Sequence, residues 1–389
     1  LNTCSSVDLE KIPEYVEKIE AIREIIISNI VLLGQIPSPT FKEGHRAKAF
    51  LERLTDSHVD EVTADAYNNP IGIIRGTDPA KPPIFLVAHL DTFFDREMIY
   101  NFTVGPDTIE GPGLLDNSLG VAVLASMPEI FRALDLQFQS DIVLAGVVQS
   151  LGRGNLSGIR HLLKTWATPI RAAVSIEGVE IGRLNYYSDG MIRCEIECTV
   201  QGASKFAERN RPNAILILNE LINQILSIGV PQRPRSRIVI GQVHAGVTHG
   251  RLAQQGIIGL EIHSDAMEMV KELFTQVRDI VSELNQEFDA TLHLDIVSSL
   301  QAARLKFNHP LVKTAVAVME TLGLKPVSEA SESELSIMLA RGIPAVTLGI
   351  TRGENKYREN ARAQLAPMYK GIAQVVGVIS AMDNGVCDE

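Results

Sequence analysis

The chain has 389 residues, of which 45% are hydrophobic and 21% charged; that is an ordinary globular composition and too long for one common core, so two domains are expected. A formal net charge of −11 with no basic cluster excludes nucleic acid and anionic membrane as natural partners. No apolar run approaches the ~20 residues of a membrane span, and Cys4, Cys194, Cys198 and Cys387 show no CxxC spacing, which points to a reducing, cytoplasmic setting.

The sequence opens LNTCSSVDLEKIPEY, without an initiator methionine. No basic stretch precedes an apolar one there, so no signal peptide is expected, and the start is compatible with removal of a leader. Residues 9–33 carry a helical pattern of apolar side chains, broken by Pro37 and Pro39, and 42–54 reads as a second helix. Asn68-Asn69-Pro70 and then 71–75 read as a hairpin strand. The apolar run 84–88 follows, bounded by Lys81-Pro82-Pro83, and reads as a strand buried on both faces. At its end stand His89 and Asp91, two apart and so directed the same way. Gly111-Pro112-Gly113 makes a turn that delivers Asp116 and Asn117 to a helix over 119–134.

Strand 141–148, helix 156–165 and strand 172–176, ending at Glu177-Gly178, continue the alternation. The expected fold class is therefore α/β, a mainly parallel sheet flanked by helices with its chemistry at the carboxyl edge of the strands. From 191 the pattern changes to polar–apolar alternation, typical of a sheet with one wet face. Strands at 191–200, 237–243, 259–263 and 292–297 and helices at 213–226 and 265–288 form an inserted α+β module. The domains are 1–188 with 305–389, and 189–304 between them. The first domain resumes with helices at 310–322, 331–341 and 366–382 and a strand at 345–348.

A histidine and a carboxylate at strand ends suit zinc, with Asp91 placed to take the second ring proton of His89. Taken singly, the bland alternatives are a satisfied polar histidine and a helix N-cap at Asp116-Asn117. The joint pattern, His-Leu-Asp at 89–91 and GPGLLDNSLG at 111–120, resembles the di-zinc exopeptidases and aminoacylases, such as acetylornithine deacetylase, succinyl-diaminopimelate desuccinylase, peptidase T and glutamate carboxypeptidase. RGIPAVTLGITRG at 341–353 is a further match, and the resemblance runs over nearly the whole chain. It implies zinc ligands at His89, Asp116 (bridging two metals) and Glu177, a lid formed by the inserted module, and homodimers joined through lid strand edges.

Several positions depart from that pattern. Ser150 stands where the resemblance places the general base, and Leu151 where it places a zinc carboxylate, in the run Ser150-Leu151-Gly152-Arg153-Gly154-Asn155-Leu156-Ser157-Gly158. Tyr357 takes the place of the second zinc histidine, with Lys356 beside it. In the module, the usual Gly-x-Gly-Gly-His-Ser turn becomes Gly202-Ala203-Ser204-Lys205-Phe206. Gly250 takes a substrate-binding asparagine position, and His263 a substrate-binding arginine position. His244, His249 and His263 offer a candidate metal cluster in the module, against which stands the commoner reading of scattered histidines as structural or solvent-facing. A serine hydroxyl cannot serve as the base, and leucine offers a metal nothing.

The expectation is a catalytically inactive or strongly altered family member, a pseudoenzyme, with one zinc or none rather than two. It would bind a peptide or N-acyl amino acid, with Gly250, His263 and Lys356 as substrate contacts. The alternatives are an amide hydrolase using a single zinc, with Glu180, Glu332, Glu334 or Glu359 as substitute base, and a structural or oligomer-forming subunit.

Overall fold

The computed structural model describes residues 9–94, 98–200 and 212–388. The chain falls into two compact units, 1–187 with 304–389, and 188–303.

The first unit is built on a seven-stranded sheet in the order Glu61–Ala64, Pro70–Ile74, Ile142–Val147, Ile84–His89, Ala172–Val179, Ala345–Thr351, Leu184–Asn185. Its four central strands, 142–147 to 345–351 in that order, run parallel, while the outer pairings are antiparallel. Every residue of Ile84–His89 is buried. Ile84, Leu86 and Ala88 join the main core, whereas Phe85 points to the other face and meets Trp166 edge-on at 4.8 Å. A strand covered on both faces needs apolar residues at every position, which is why its sequence shows no alternation. The carboxyl ends of the parallel strands therefore share one edge, and the polar residues stand there.

The expected helices form, with three differences. The pattern over 9–33 is divided into Ile12–Ala21 and Arg23–Gly34, with Ile22 between them at φ −103 and ψ 21. The helix expected over 331–341 is confined to Glu334–Ala340. Two helical stretches, Leu114–Ala133 and Leu365–Asp383, are long and apolar enough to span a membrane, contrary to the expectation that none is. Both pack inside the core, with Val123, Leu124 and Met127 of one and Ile372, Val375 and Val376 of the other fully buried. A helix apolar all round needs protein on every side, and here it has it.

A small antiparallel sheet, in the order Gly353–Glu354, Arg362–Gln364, Thr108–Glu110, Thr103–Val104, was not anticipated. Strands of two or three residues are too short to show a period. Its hairpin between 354 and 362 carries Lys356 and Tyr357.

The second unit is a four-stranded antiparallel sheet, Ser236–Ala245, Gln255–Ser264, Gly190–Val200, Ala290–Leu300, with helices Ala214–Leu226 and Met267–Glu287. Ile192, Cys194, Ile196 and Cys198 alternate into its core. Burial pushes the thiols of Cys194 and Cys198 up to about 12 and about 11, which makes them packing residues rather than reactive ones. Strand Ser236–Ala245 is an exposed edge. The turn at 202–206 lies outside the described residues.

Candidate metal centre and cleft

Three elements bring the retained residues together. His89 ends a central strand, Glu177 lies within the neighbouring strand Ala172–Val179, and Asp116 sits on the turn that enters helix Leu119–Ala133. The turn is pinned by Asn117, whose amide donates to Ile176 O (2.7 Å) and accepts from Gly178 N (2.9 Å), so that Asp116 is laid beside Glu177. Asn117 is thus a cross-tie to the strand and not the helix cap that its position suggests. One donor atom from each of His89, Asp116 and Glu177 lies within 4.8 Å of the others. His89 Nε2 is 3.2 Å from Asp116 Oδ1. Two ligands of one tetrahedral zinc, each ~2.0–2.1 Å from the ion, stand about 3.3 Å apart, so His89 and Asp116 are spaced as two ligands of one ion, with Glu177 close by.

Asp91 acts on His89 in two ways. Its main-chain oxygen lies 3.0 Å from Nδ1 and its carboxylate 3.4 Å, so the backbone shares the orienting role expected of the side chain. The carboxylate also accepts hydrogen bonds from Thr40 Oγ1 (2.9 Å), Ser150 N (3.0 Å) and Leu151 N (2.8 Å). Glu43, buried, accepts from Gln149 N at 2.8 Å. Two carboxylates therefore hold the backbone of 149–151 from below. Asn69 ties the loop ends together, accepting from Val148 N and donating to Gly158 O, each at 3.0 Å. A Cβ at Gly158 would come within 2.2 Å of Val148 O, so only glycine allows the loop to close. Below the strand end, Arg46 is fully buried and donates to the carbonyls of Leu90 (3.0 Å) and Ile36 (2.6 Å). Burial lowers its pKa to about 10.

The departures from the family pattern are visible in this frame. Ser150 Oγ donates to the carboxylate of Glu334, Oε1, at 2.5 Å. Glu334 is only 1% exposed and begins helix Glu334–Ala340. Of the four carboxylates considered as substitutes, it alone is buried, and it lines the cleft beside His89; Glu332 lines the cleft while exposed, and Glu180 and Glu359 are also exposed. Leu151 presents an apolar side chain to the cleft. Tyr357 is 66% exposed, at the wall of the cleft. Lys356 turns inward instead, with Nζ 3.3 Å from Asp116 Oδ2 and 5.2 Å from the centre of the Tyr357 ring.

The cluster is electrostatically tight. Burial pushes the His89 imidazole down, but Asp116 and Asp91 outweigh it and hold its pKa well above the usual value. Burial opposes ionisation of Asp116 as well, yet His89 and Lys356 keep its pKa below the ordinary range. Burial raises the pKa of Glu177. The cleft measures about 300 Å³ and is also lined by Arg183, Asn185, Glu329 and Ser331.

Gly250 and His263 belong to the second unit. Gly250 is an exposed turn glycine with φ +74, and His263 is buried with Nε2 3.0 Å from Glu261 Oε2. His244 pairs with Ile257 and His263 with Arg237, so these histidines stand at opposite ends of the paired strands and form no cluster.

Comparison with known proteins agrees with the architecture. Peptidase family M28 matches residues 69–215, and no curated protein matches by sequence. The dipeptidase Dug1p from Saccharomyces cerevisiae superposes with a TM-score of 0.78 at 12% identity, over 97% of this chain and 99% of that one. Aminopeptidase PepT from Bacillus cereus gives 0.70 at 16% identity, over 92% and 98%. The YXEP protein of Bacillus subtilis, described as a dinuclear metal binding peptidase from the M20 family, gives 0.63 at 13% identity, over 95% and 99%. In sequence over 69–215 and in fold over more than nine-tenths of its length, the chain resembles the zinc exopeptidases and aminoacylases, as its motifs imply.

Proposed function

We propose that this protein binds a peptide or N-acyl amino acid in the cleft of a zinc-exopeptidase fold without hydrolysing it. The observation that carries the reading is Lys356 Nζ on the free oxygen of Asp116, 3.3 Å away, where a di-zinc site needs a second metal. Ser150 and Leu151 supply neither the base nor the carboxylate of that side. His89, Asp116 and Glu177 would hold one zinc, which when bound supplies a Lewis acid that polarises a ligand carbonyl. Around it, Lys356 and Arg183 offer cations to a ligand carboxylate, and Asn185 and Ser331 offer hydrogen bonds. The exposed strand Ser236–Ala245 suits pairing with a second copy, and the cysteine usage suits the cytoplasm.

A second reading rests on Glu334. Its buried carboxylate, bonded to Ser150 Oγ, restores a proton acceptor to the side that lost its own, and a single-zinc amide hydrolase would use it as general base. A structural or oligomer-forming subunit is the third reading and predicts no ligand.

Zinc per chain after reconstitution and desalting, with a thermal-shift and amide-hydrolysis screen of dipeptides and N-acyl amino acids, separates them. One zinc or none, with ligand-raised stability and no turnover, supports the binding protein. Turnover that is lost on Glu334→Gln establishes the hydrolase. No ligand response leaves the structural subunit, and two zinc ions per chain overturn the first reading.

A further inference from the structure

We infer that Lys356 is a tethered cation that takes the place of the second metal, and that it limits the site to one zinc. This deepens the reading above, since it rests on the same cleft holding no metal pair.

The geometry points that way from three directions. Asp116 presents its two oxygens to two different partners, Oδ1 to His89 at 3.2 Å and Oδ2 to Lys356 Nζ at 3.3 Å. A carboxylate that bridges two metals divides its oxygens in the same manner, and metals in such pairs stand ~3.5–4 Å apart. The ammonium is held in place: Lys356 is carried by the hairpin between 354 and 362, whose strands pair in a fixed register, Gly353 with Ala363 and Glu354 with Arg362. The Tyr357 ring lies 5.2 Å from Nζ and adds a cation–π contact. The same cleft offers a second metal little to bind. Leu151 lines the cleft there, and the Ser150 hydroxyl is committed to Glu334.

Charge explains why such a residue is needed. Asp116, Glu177 and Glu334 bring three carboxylates to one cleft, two of them almost fully buried. Clustered carboxylates without a counter-charge repel one another and resist burial. An ammonium on a flexible stem answers that charge permanently, independent of metal supply, and it repels a second dication from the same oxygen.

The test is zinc binding by chelator competition and elemental analysis, comparing wild type with Lys356→Met, Lys356→Arg and the double variant Leu151→Glu/Lys356→His. Circular dichroism serves as the folding check. Removing a unit charge this close to the ion should tighten zinc in Lys356→Met by about tenfold or more, while Lys356→Arg keeps the wild-type affinity. The double variant, which supplies a carboxylate and an imidazole where the cation stood, should bind two zinc ions per chain. Should wild type bind none, a single zinc gained by Lys356→Met supports the inference in the same way. Equal affinity in wild type and Lys356→Met overturns it, as do two zinc ions in wild type. Should Lys356→Met fail to fold, the double variant decides: two ions support the inference and one or none overturns it. Turnover by wild type would remove the non-hydrolytic reading but would leave these differences in metal binding unchanged, so the two failures are distinguishable.

Discussion

On one side of the cleft, His89, Asp116 and Glu177 stand on strand ends and on a turn cross-tied by Asn117. On the other, Ser150, Leu151 and Lys356 stand on loops. Both sides are equally well supported: Asn117 bonds to Ile176 and Gly178, and Asp91, Glu43 and Asn69 hold the backbone from 148 to 158. Yet the first side presents a metal-ligand set and the second an alcohol, an alkyl group and an ammonium. The comparison teaches that scaffold and chemistry are separable here. Asp91 and Glu43 hold this loop through the backbone N–H groups of 149–151, so the loop geometry does not depend on a metal-binding carboxylate being there.

Variants that act on one side only sharpen this contrast. The largest effect is expected from His89→Ala, which removes the one nitrogen donor of the candidate set His89, Asp116 and Glu177. Zinc retained by wild type should be lost on desalting, with affinity falling by more than the ~10–100-fold typical of changes to outer-shell partners. Retention of zinc by this variant would place the metal elsewhere.

Asn117→Ala should come next. It leaves Ile176 O and Gly178 N without their buried partner, at a cost of about 2–4 kcal/mol. Because Asp116 then loses its tie to the strand, metal affinity should fall along with the denaturant midpoint. A stability loss with unchanged metal affinity would show that Asp116 is held by other means.

Ser150→Ala probes the second side. It strips a buried carboxylate, Glu334, of its 2.5 Å donor, and about 1.5–3 kcal/mol of stability should go with it. Zinc affinity at the first side should be unaffected, and a drop there would couple the two sides. Pairing it with Glu334→Gln in a double-mutant cycle isolates the interaction itself.

The last effect lies away from the cleft and serves as a control. Glu261 is hydrogen-bonded to His263 and ion-paired with Arg193 (2.6 Å), which lower its pKa to about 2. A carboxyl whose folded pKa is depressed stabilises above its ordinary value and loses that contribution as pH falls through the folded one. Stability of the second unit should therefore decline between pH 4.5 and about 2, and Glu261→Gln should flatten that decline. An equal acid response in variant and wild type would show that the contacts of Glu261 add nothing.

Most of the architecture is legible without coordinates, because the runs 84–88 and 142–147 are apolar throughout and the second unit alternates. Each of those patterns is imposed by how many faces a strand buries. His89, Asp116 and Glu177 are also marked in the sequence, two of them by the strands they end or lie in and Asp116 by the turn after Gly111-Pro112-Gly113; that their donor atoms come within 4.8 Å of one another is a matter of tertiary structure.

Other features are invisible at that level. Lys356 and Tyr357 are adjacent in the chain, and only the register of the short hairpin decides that the lysine turns toward Asp116 while the tyrosine faces solvent. Glu334 is 184 positions from Ser150, and nothing local distinguishes it from Glu332 or Glu359. Local pattern reflects the environment of one element, which burial and backbone period dictate. Which carboxylate meets which hydroxyl, and where an ammonium comes to rest, depends on the meeting of elements distant in sequence, and that the tertiary structure alone decided.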